Sequence, residues 1–305
     1  MIQSFLSKYI PENRNLHAIF LMIVAMACFT LVDLLIKISS QTLPVGQVMI
    51  TLGLGSALAF WMMMAVKGEP VLFAPFLQPA LLLRNTGDFV GSISMCLALA
   101  YVPISTIGAV IQAVPLMLTA AAALFLGERI GIRRLSAILA GFAGVIFILQ
   151  PGRDDFDVMV VLAVVAAVGL SVRDIGTKLV SRDVSTFLVS FYGAALFACS
   201  GGLLLFFTGG ASLPNAPMII ASVVMIALSS FGMICVTIAV RIGEMSVVSP
   251  FRYSRLLFSL AAGVVVLGEQ VNAMMLFGCV LTIGAGLYIW RREIALKPGE
   301  GGSGA

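Results

Sequence analysis

Charge is scarce in this chain. Of its 305 residues only 10% are Asp, Glu, Lys or Arg, whereas soluble domains carry about 25% because their surface faces water. With 60% of residues in the apolar and aromatic set and a mean hydropathy of +1.10, the solvent around most of the molecule is lipid. Histidine is scarcer still. His17 stands alone, which removes the clustered imidazoles a catalytic zinc uses. The cysteines Cys28, Cys96, Cys199, Cys235 and Cys279 all lie inside apolar runs without CxxC spacing, so no disulfide framework, metal site or cofactor is expected. A formal net charge of +4 gives no footprint for nucleic acid. The chain also lacks a GxxxxGKS/T loop, HExxH, GxGD and any Ser/His constellation, so neither ATP-driven pumping nor enzyme chemistry is expected. A channel would need a pore-lining ring or filter loop, and the short breaks between the apolar runs offer none.

What the chain has is long hydrophobic runs. They fall near 16–38, 45–66, 79–100, 104–126, 134–150, 157–180, 184–208, 217–240, 246–267 and 271–290. Each is close to the roughly 20 residues a helix needs to cross a bilayer core, and far longer than the about 10 alternating residues of a barrel strand. The expected fold is therefore all-α and polytopic, with ten transmembrane helices. Residues 1–15 form a separate N-terminal segment in which Ile2, Phe5, Leu6 and Tyr9 recur at helical spacing, as an interfacial helix would. Its Lys8, Glu12 and Arg14 argue against a cleavable signal. Residues 291–305 form a tail, and the closing Gly-Gly-Ser-Gly-Ala reads as an appended flexible linker.

In alternate loops, twelve Lys and Arg residues fall on the side of the N-terminus, from Lys8 and Arg14 to Arg291, Arg292 and Lys297; Lys37 and Arg153 lie opposite. The positive-inside rule then places both termini in the cytoplasm of a multi-pass inner-membrane protein.

The chain also repeats itself. At a shift of 141 residues, Asp33 and Lys37 fall on Asp174 and Lys178, Gly91 on Gly232, Ala98 on Ala239, Ser105 on Ser246, and Leu126-Gly127-Glu128 on Leu267-Gly268-Glu269. Residues 16–150 and 157–290 are thus two five-helix copies. Because five is odd, the second enters the membrane from the opposite side. Inverted repeats are a common build of secondary transporters, with the site near the midplane between them.

The run Ala98-Leu99-Ala100-Tyr101 through Ser105 and Pro115 to Leu126-Gly127-Glu128, and its counterpart Ser249-Pro250-Phe251-Arg252-Tyr253 to Leu267-Gly268-Glu269, resemble the drug/metabolite transporter superfamily. The resemblance is to its ten-helix branch with paired EamA-type repeats. It implies an inner-membrane carrier for amino acids, nucleotide-like metabolites or drugs, often an exporter, similar to the bacterial aromatic amino-acid exporters. The chain departs from many relatives in placing Gln47, Met49 and Thr51, and no arginine, at the start of its second run, and in having Leu256 beside Arg255 where Pro115 would repeat.

An ionisable side chain at the bilayer centre costs about 2.5 to 3.5 kcal/mol on insertion scales, so those inside spans are the first candidates for function. Asp33 and Lys37, like Asp174 and Lys178, stand i, i+4 on one face in both copies; they are expected to be structural pairs with snorkelling lysines. Glu128 and Glu269 are expected as helix-end fixtures. The copies differ where Arg84 and Asp88 meet Met225 and Ser229, and where Arg252 and Arg255 meet Ile111 and Val114. A site for an asymmetric solute breaks the symmetry of the repeat, so Arg84, Asp88, Arg252 and Arg255 are substrate-binding candidates. Asp88 is also a candidate proton carrier. Two placements stay open: a cluster facing a central cavity, or an Arg255–Asp88 clamp with Arg84 and Arg252 snorkelling. Asp33, Asp88 and Asp174 cannot neutralise Lys37, Arg84, Arg173, Lys178, Arg252 and Arg255, which leaves positive charge for a substrate carboxylate or phosphate. Gln112, deep in its span, and Tyr253, able to stack on a ring, complete the candidates.

The expected function is a secondary transporter working by alternating access, with export of amino acids, including aromatic ones, first. Uptake or exchange of an anionic or nucleoside-like metabolite is the alternative. The expected partners are a small-molecule substrate and the lipid bilayer, the protein being a monomer or weak homodimer.

Overall fold

In the absence of water a backbone must close its own hydrogen bonds, so apolar runs of this length coil into helices. The computed structural model describes residues 14–71, 74–125, 131–151, 157–181, 184–243 and 245–296. The N-terminal segment 1–13, Glu128 and the tail from 297 onward lie outside them.

The described helices are α1 (Arg14–Ser39), α2 (Val45–Lys67), α3 (Pro79–Tyr101), α4 (Ile104–Ile111), α5 (Val114–Phe125), α6 (Ile132–Leu149), α7 (Val161–Leu179), α8 (Thr186–Thr208), α9 (Ala216–Ile242), α10 (Met245–Val248), α11 (Ser254–Ala261) and α12 (Ala273–Leu296). With α4–α5 and α10–α11 each forming one broken span, they give ten crossings. Eight segments are long and apolar enough to cross a membrane by length and composition. The other two crossings are α3, which carries Arg84 and Asp88, and the broken ninth span. Local chemistry sets the ends. Gly68 closes α2 in the left-handed region at φ 68°, returning its N–H to Ala65 O. Pro79 opens α3, where a missing N–H costs nothing, and the Asn215 side chain accepts from Met218 N at the start of α9.

The fourth span breaks at Gln112. Gln112 N and Ala113 N bond back three residues, to Ala109 O and Val110 O at 3.2 and 2.9 Å. Pro115 has no N–H to return to Ile111 O. The ninth span is broken more thoroughly, with a 3-10 turn over Ser249–Tyr253 and a π stretch over Ala262–Val266. The two spans cross where a Cβ on Gly108 would lie 1.9 Å from Ser259 Oγ.

The principal helix contacts join one repeat to the other: α1 packs on α9, α2 on α8, α3 on α7 and α6 on α12. The core of the molecule is therefore the interface between the two copies. Glycine lets these crossings close, as at α3–α7. A Cβ on Gly87 would meet Arg173 N at 2.6 Å, one on Gly169 would meet Gly91 Cα at 2.5 Å, and one on Gly176 would meet Arg84 N at 2.5 Å. In the other copy the positions of Gly87, Gly169 and Gly176 hold Leu228, Cys28 and Leu35. At these three positions the α3–α7 crossing thus carries less side-chain volume than α1–α9. Large apolar side chains such as Phe206, Phe207, Val265 and Val280 stay on the outside, where lipid meets them.

Candidate functional site

Glycine-made proximity of α3 and α7 brings four ionic side chains together. Arg84 Nη1 lies 3.5 Å from Asp88 Oδ2 one turn along α3, and Arg173 Nη1 reaches Asp88 Oδ1 at 3.7 Å. Arg173 also grips its neighbour Asp174, with Nε and Nη2 donating to Oδ1 at 3.0 and 2.9 Å. The Arg84 guanidinium donates to Asn85 Oδ1 at 2.9 Å and rests on Gly193 of α8, where a Cβ would come within 2.7 Å of Nη2. Arg84 and Asp88 are 8% and 9% exposed: both are packed inside the helix junction, and Asp88 sits between two guanidinium groups. Arg173 and Asp174 are more open, with 35% and 26% of their side chains accessible.

A second ion pair joins α1 to α11, with Arg255 Nη2 donating to Asp33 Oδ2 at 2.6 Å. Phe29 lies under the same guanidinium, 5.9 Å from ring centre to Cζ. Between the two pairs stands Arg252, on the 3-10 turn of the ninth span. It is exposed, within electrostatic reach of Asp174, Arg173 and Arg255, and makes no ion pair or hydrogen bond among the described residues. Four arginines, Arg84, Arg173, Arg252 and Arg255, thus meet three carboxylates, Asp33, Asp88 and Asp174. The excess charge rests on the arginine that is accessible.

Several sequence expectations change at this point. Arg255 and Asp88 do not clamp one another; each has a nearer partner, Asp33 and the Arg84–Arg173 pair. The i, i+4 pairs do not form either. Asp33 is taken by Arg255, and Lys37 instead donates to Leu99 O and Val102 O at 3.1 and 2.6 Å, capping the C-terminal end of α3. Carbonyls left over at a helix end attract a cation more strongly than a carboxylate already paired. Asp174 is held by Arg173, and Lys178 is exposed. Glu269 is a helix-end fixture, accepting from Ile104 N, Ser105 N and Ser105 Oγ at 2.7, 3.0 and 2.5 Å at the start of α4. Tyr253 turns away from the charged cluster. Its hydroxyl presses on Gly286 of α12, where a Cβ would lie 1.8 Å from Oη. Gln112 is 5% exposed at the helix break, and its Nε2 has no hydrogen-bond partner.

Sequence reasoning had counted Arg173 among the intramembrane bases without assigning it a role. The signal was its place beside Asp174. Phe29 gave no signal, because one phenylalanine among 20 marks nothing until a guanidinium is found above it.

The sequence that folds into these broken, paired helices matches a known family. The sequence model of the EamA-like transporter family covers residues 16–150 and again 158–291. The chain belongs to the EamA-like transporter family. It is a multi-pass membrane transporter and not an enzyme, and the family is part of the drug/metabolite superfamily expected from the sequence. Among its relatives are a riboflavin transporter of Rhizobium johnstonii, 28% identical over 64% of this chain and 65% of that protein, and an S-adenosylmethionine uptake transporter of Rickettsia bellii, 26% identical over 68% of this chain and 71% of that one. The Rhizobium match spans just under two thirds of the relative's length. A solved structure described simply as a crystal structure of a protein superposes with TM-score 0.62 at 19% identity, covering 92% of this chain and 99% of the other, which supports the fold.

Proposed function

We propose that this EamA-like chain is a secondary carrier that takes up or exchanges nucleoside-like metabolites bearing an anionic group. The observation that carries the reading is Arg252, the accessible arginine without an ion-pair partner among the described residues, set between the Arg173–Asp174 and Arg255–Asp33 pairs. A carboxylate or phosphate there gains a charge-assisted, two-pronged partner and completes the local charge balance. Arg255, held by Asp33, is the second cation the anion reaches. Arg84 and Asp88, packed against Gly193, hold the α3–α7–α8 junction; Asp88, already between two arginines, is better suited to that task than to carrying a proton. Gln112 supplies an unsatisfied amide donor beside the broken span, while Tyr253 supports the ninth span from behind.

The names of the relatives favour the nucleoside-like part of this reading over the export of amino acids expected first; the anionic group is argued from Arg252 alone, since riboflavin carries none. Riboflavin and S-adenosylmethionine share a fused heteroaromatic ring joined to a polyhydroxylated chain or sugar, and the latter adds an amino-acid carboxylate. The helix breaks in the fourth and ninth spans leave irregular backbone where such a solute's hydroxyls find partners. With no nucleotide-binding loop, energy comes from the solute's own gradient or from protons. Both termini are placed in the cytoplasm, following the lysine and arginine asymmetry of the loops.

The test is counterflow in proteoliposomes preloaded with S-adenosylmethionine, riboflavin, adenosine monophosphate or tryptophan. The expected result is saturable exchange of the nucleoside-like solutes that carry a carboxylate or phosphate, S-adenosylmethionine and adenosine monophosphate, lost in Arg252→Ala. Exchange of tryptophan alone would return the reading to amino-acid transport, and full activity of Arg252→Ala would remove Arg252 from the site.

A further inference from the structure

The outer face of α6 and α12 carries a feature that transport does not use. The two helices run antiparallel in close contact: Gly141 faces Ala285, Gly144 faces Thr282 and Gly278 faces Ile148. Beside that seam lies a groove of about 300 Å³ lined by Ala137 and Ala140 of α6 and by Phe277, Val280, Gly284 and Tyr288 of α12. Its lining is almost wholly apolar. The α12 residues fall on one helical face, and Gly284 leaves room at its middle: a Cβ there would meet nothing within 4 Å.

The groove has a polar end. Tyr288 lines it and receives a hydrogen bond on its hydroxyl from Arg292 Nη1 at 3.5 Å. The antiparallel register sets the first turn of α6 beside the last turns of α12, so Arg133 and Arg134 stand with Arg291 and Arg292 around the same mouth. Arg133 and Arg291 are exposed. An apolar groove with four arginines placed by helix register beside its Tyr288 end has the lining and charge for one ligand class, an acyl chain with a negatively charged headgroup. Basic pockets between membrane helices on the cytoplasmic side bind such headgroups.

We propose that the α6–α12 groove is a binding site for an anionic phospholipid, its acyl chain along Gly284 and Phe277 and its phosphate held by Arg291, Arg292 and the arginines opening α6. The site is separate from the charged cluster between the spans, and its occupancy does not depend on which solute is carried.

Native mass spectrometry of the full chain, with phosphatidylglycerol and phosphatidylcholine of matched acyl chains as probes, tests it. Phosphatidylglycerol is expected to stay bound at one equivalent and phosphatidylcholine to leave. Replacing each of Arg291 and Arg292 by Gln lowers retention about fivefold, the equivalent of about 1 kcal/mol for a basic residue beside an anionic headgroup. Gly284→Phe fills the slot without touching any charge, and it is expected to abolish retention. Equal retention of both lipids would mean that the arginines do not select the headgroup, and retention unchanged in Gly284→Phe would mean that they attract anionic lipid without the groove; either result would overturn the site. So would quantitative cross-linking of Ala140→Cys between two chains in liposomes, because a second copy would then fill the groove.

Discussion

Asp33 and Arg255 show how a single substitution divides the charged cluster into parts that hold the protein and parts that bind. Their side chains are 13% and 23% accessible and 2.6 Å apart, so removing the acid leaves a guanidinium inside the membrane without its counter-charge. Asp33→Asn is expected to destabilise the protein by about 3 kcal/mol, read as a lower thermal midpoint of the detergent-solubilised protein. Asp33→Asn combined with Arg255→Leu removes both charges and is expected to recover most of that loss, because a missing pair costs less than half of one. If the double variant is as unstable as the single, the pair is not what holds α1 to α11. Arg252→Ala, by contrast, removes an exposed residue without an ion-pair partner among the described residues, and should leave the thermal midpoint where it was.

At the level of the helix, the repeat offers an internal comparison. Lys37 and Lys178 occupy equivalent positions, and so do the helix ends they approach: Val102 closes α3 with its N–H on Ala98 O, and Gly243 closes α9 with its N–H on Ala239 O. Among the described residues only Lys37 of the two is bonded. Lys37→Ala should therefore cost about 1.5 kcal/mol, the contribution of a hydrogen bond from a charged donor, while Lys178→Ala should stay within about 0.5 kcal/mol of the parent. Glu269→Gln, which weakens the cap on α4, should cost about 1 kcal/mol. Thermal midpoints measured side by side decide this; equal losses for the two lysines would show that both helix ends are capped in solution.

Across the whole molecule, the cross-repeat packing says which parts move together. Helices α2 and α8 are fastened at both ends: Gln47 Nε2 donates to Ser212 O at 2.6 Å and Ser212 N to Gln47 Oε1 at 3.1 Å, while at the other end Glu69 accepts from Ser185 Oγ and Lys67 lies 4.1 Å above the Phe187 ring. Two helices held so are expected to travel as one body although they come from different repeats. A disulfide between Gln47→Cys and Ser212→Cys is expected to leave counterflow intact. If it stops transport, the two repeats separate along this line during the cycle.

Much of this architecture was legible in the residues. Ten apolar runs, the 141-residue echo of Asp33 and Lys37 in Asp174 and Lys178, and the repeated Leu-Gly-Glu fixed the fold class and the inverted repeat, because helix length and repeat parity follow from the chain itself and the bilayer. The choice of partners did not. Helical spacing put Asp33 within reach of Lys37, but an i, i+4 contact is one option among several, and the fold brought Arg255, 222 residues away, closer still. In the same way Gly87 and Gly176 looked like ordinary small residues until the α3–α7 crossing showed what they admit, namely Arg84, Asp88, Arg173 and Asp174 in one junction. The sequence by itself determined which charges enter the membrane; the tertiary structure decided which of them are satisfied there, because satisfaction depends on distances that only packing sets.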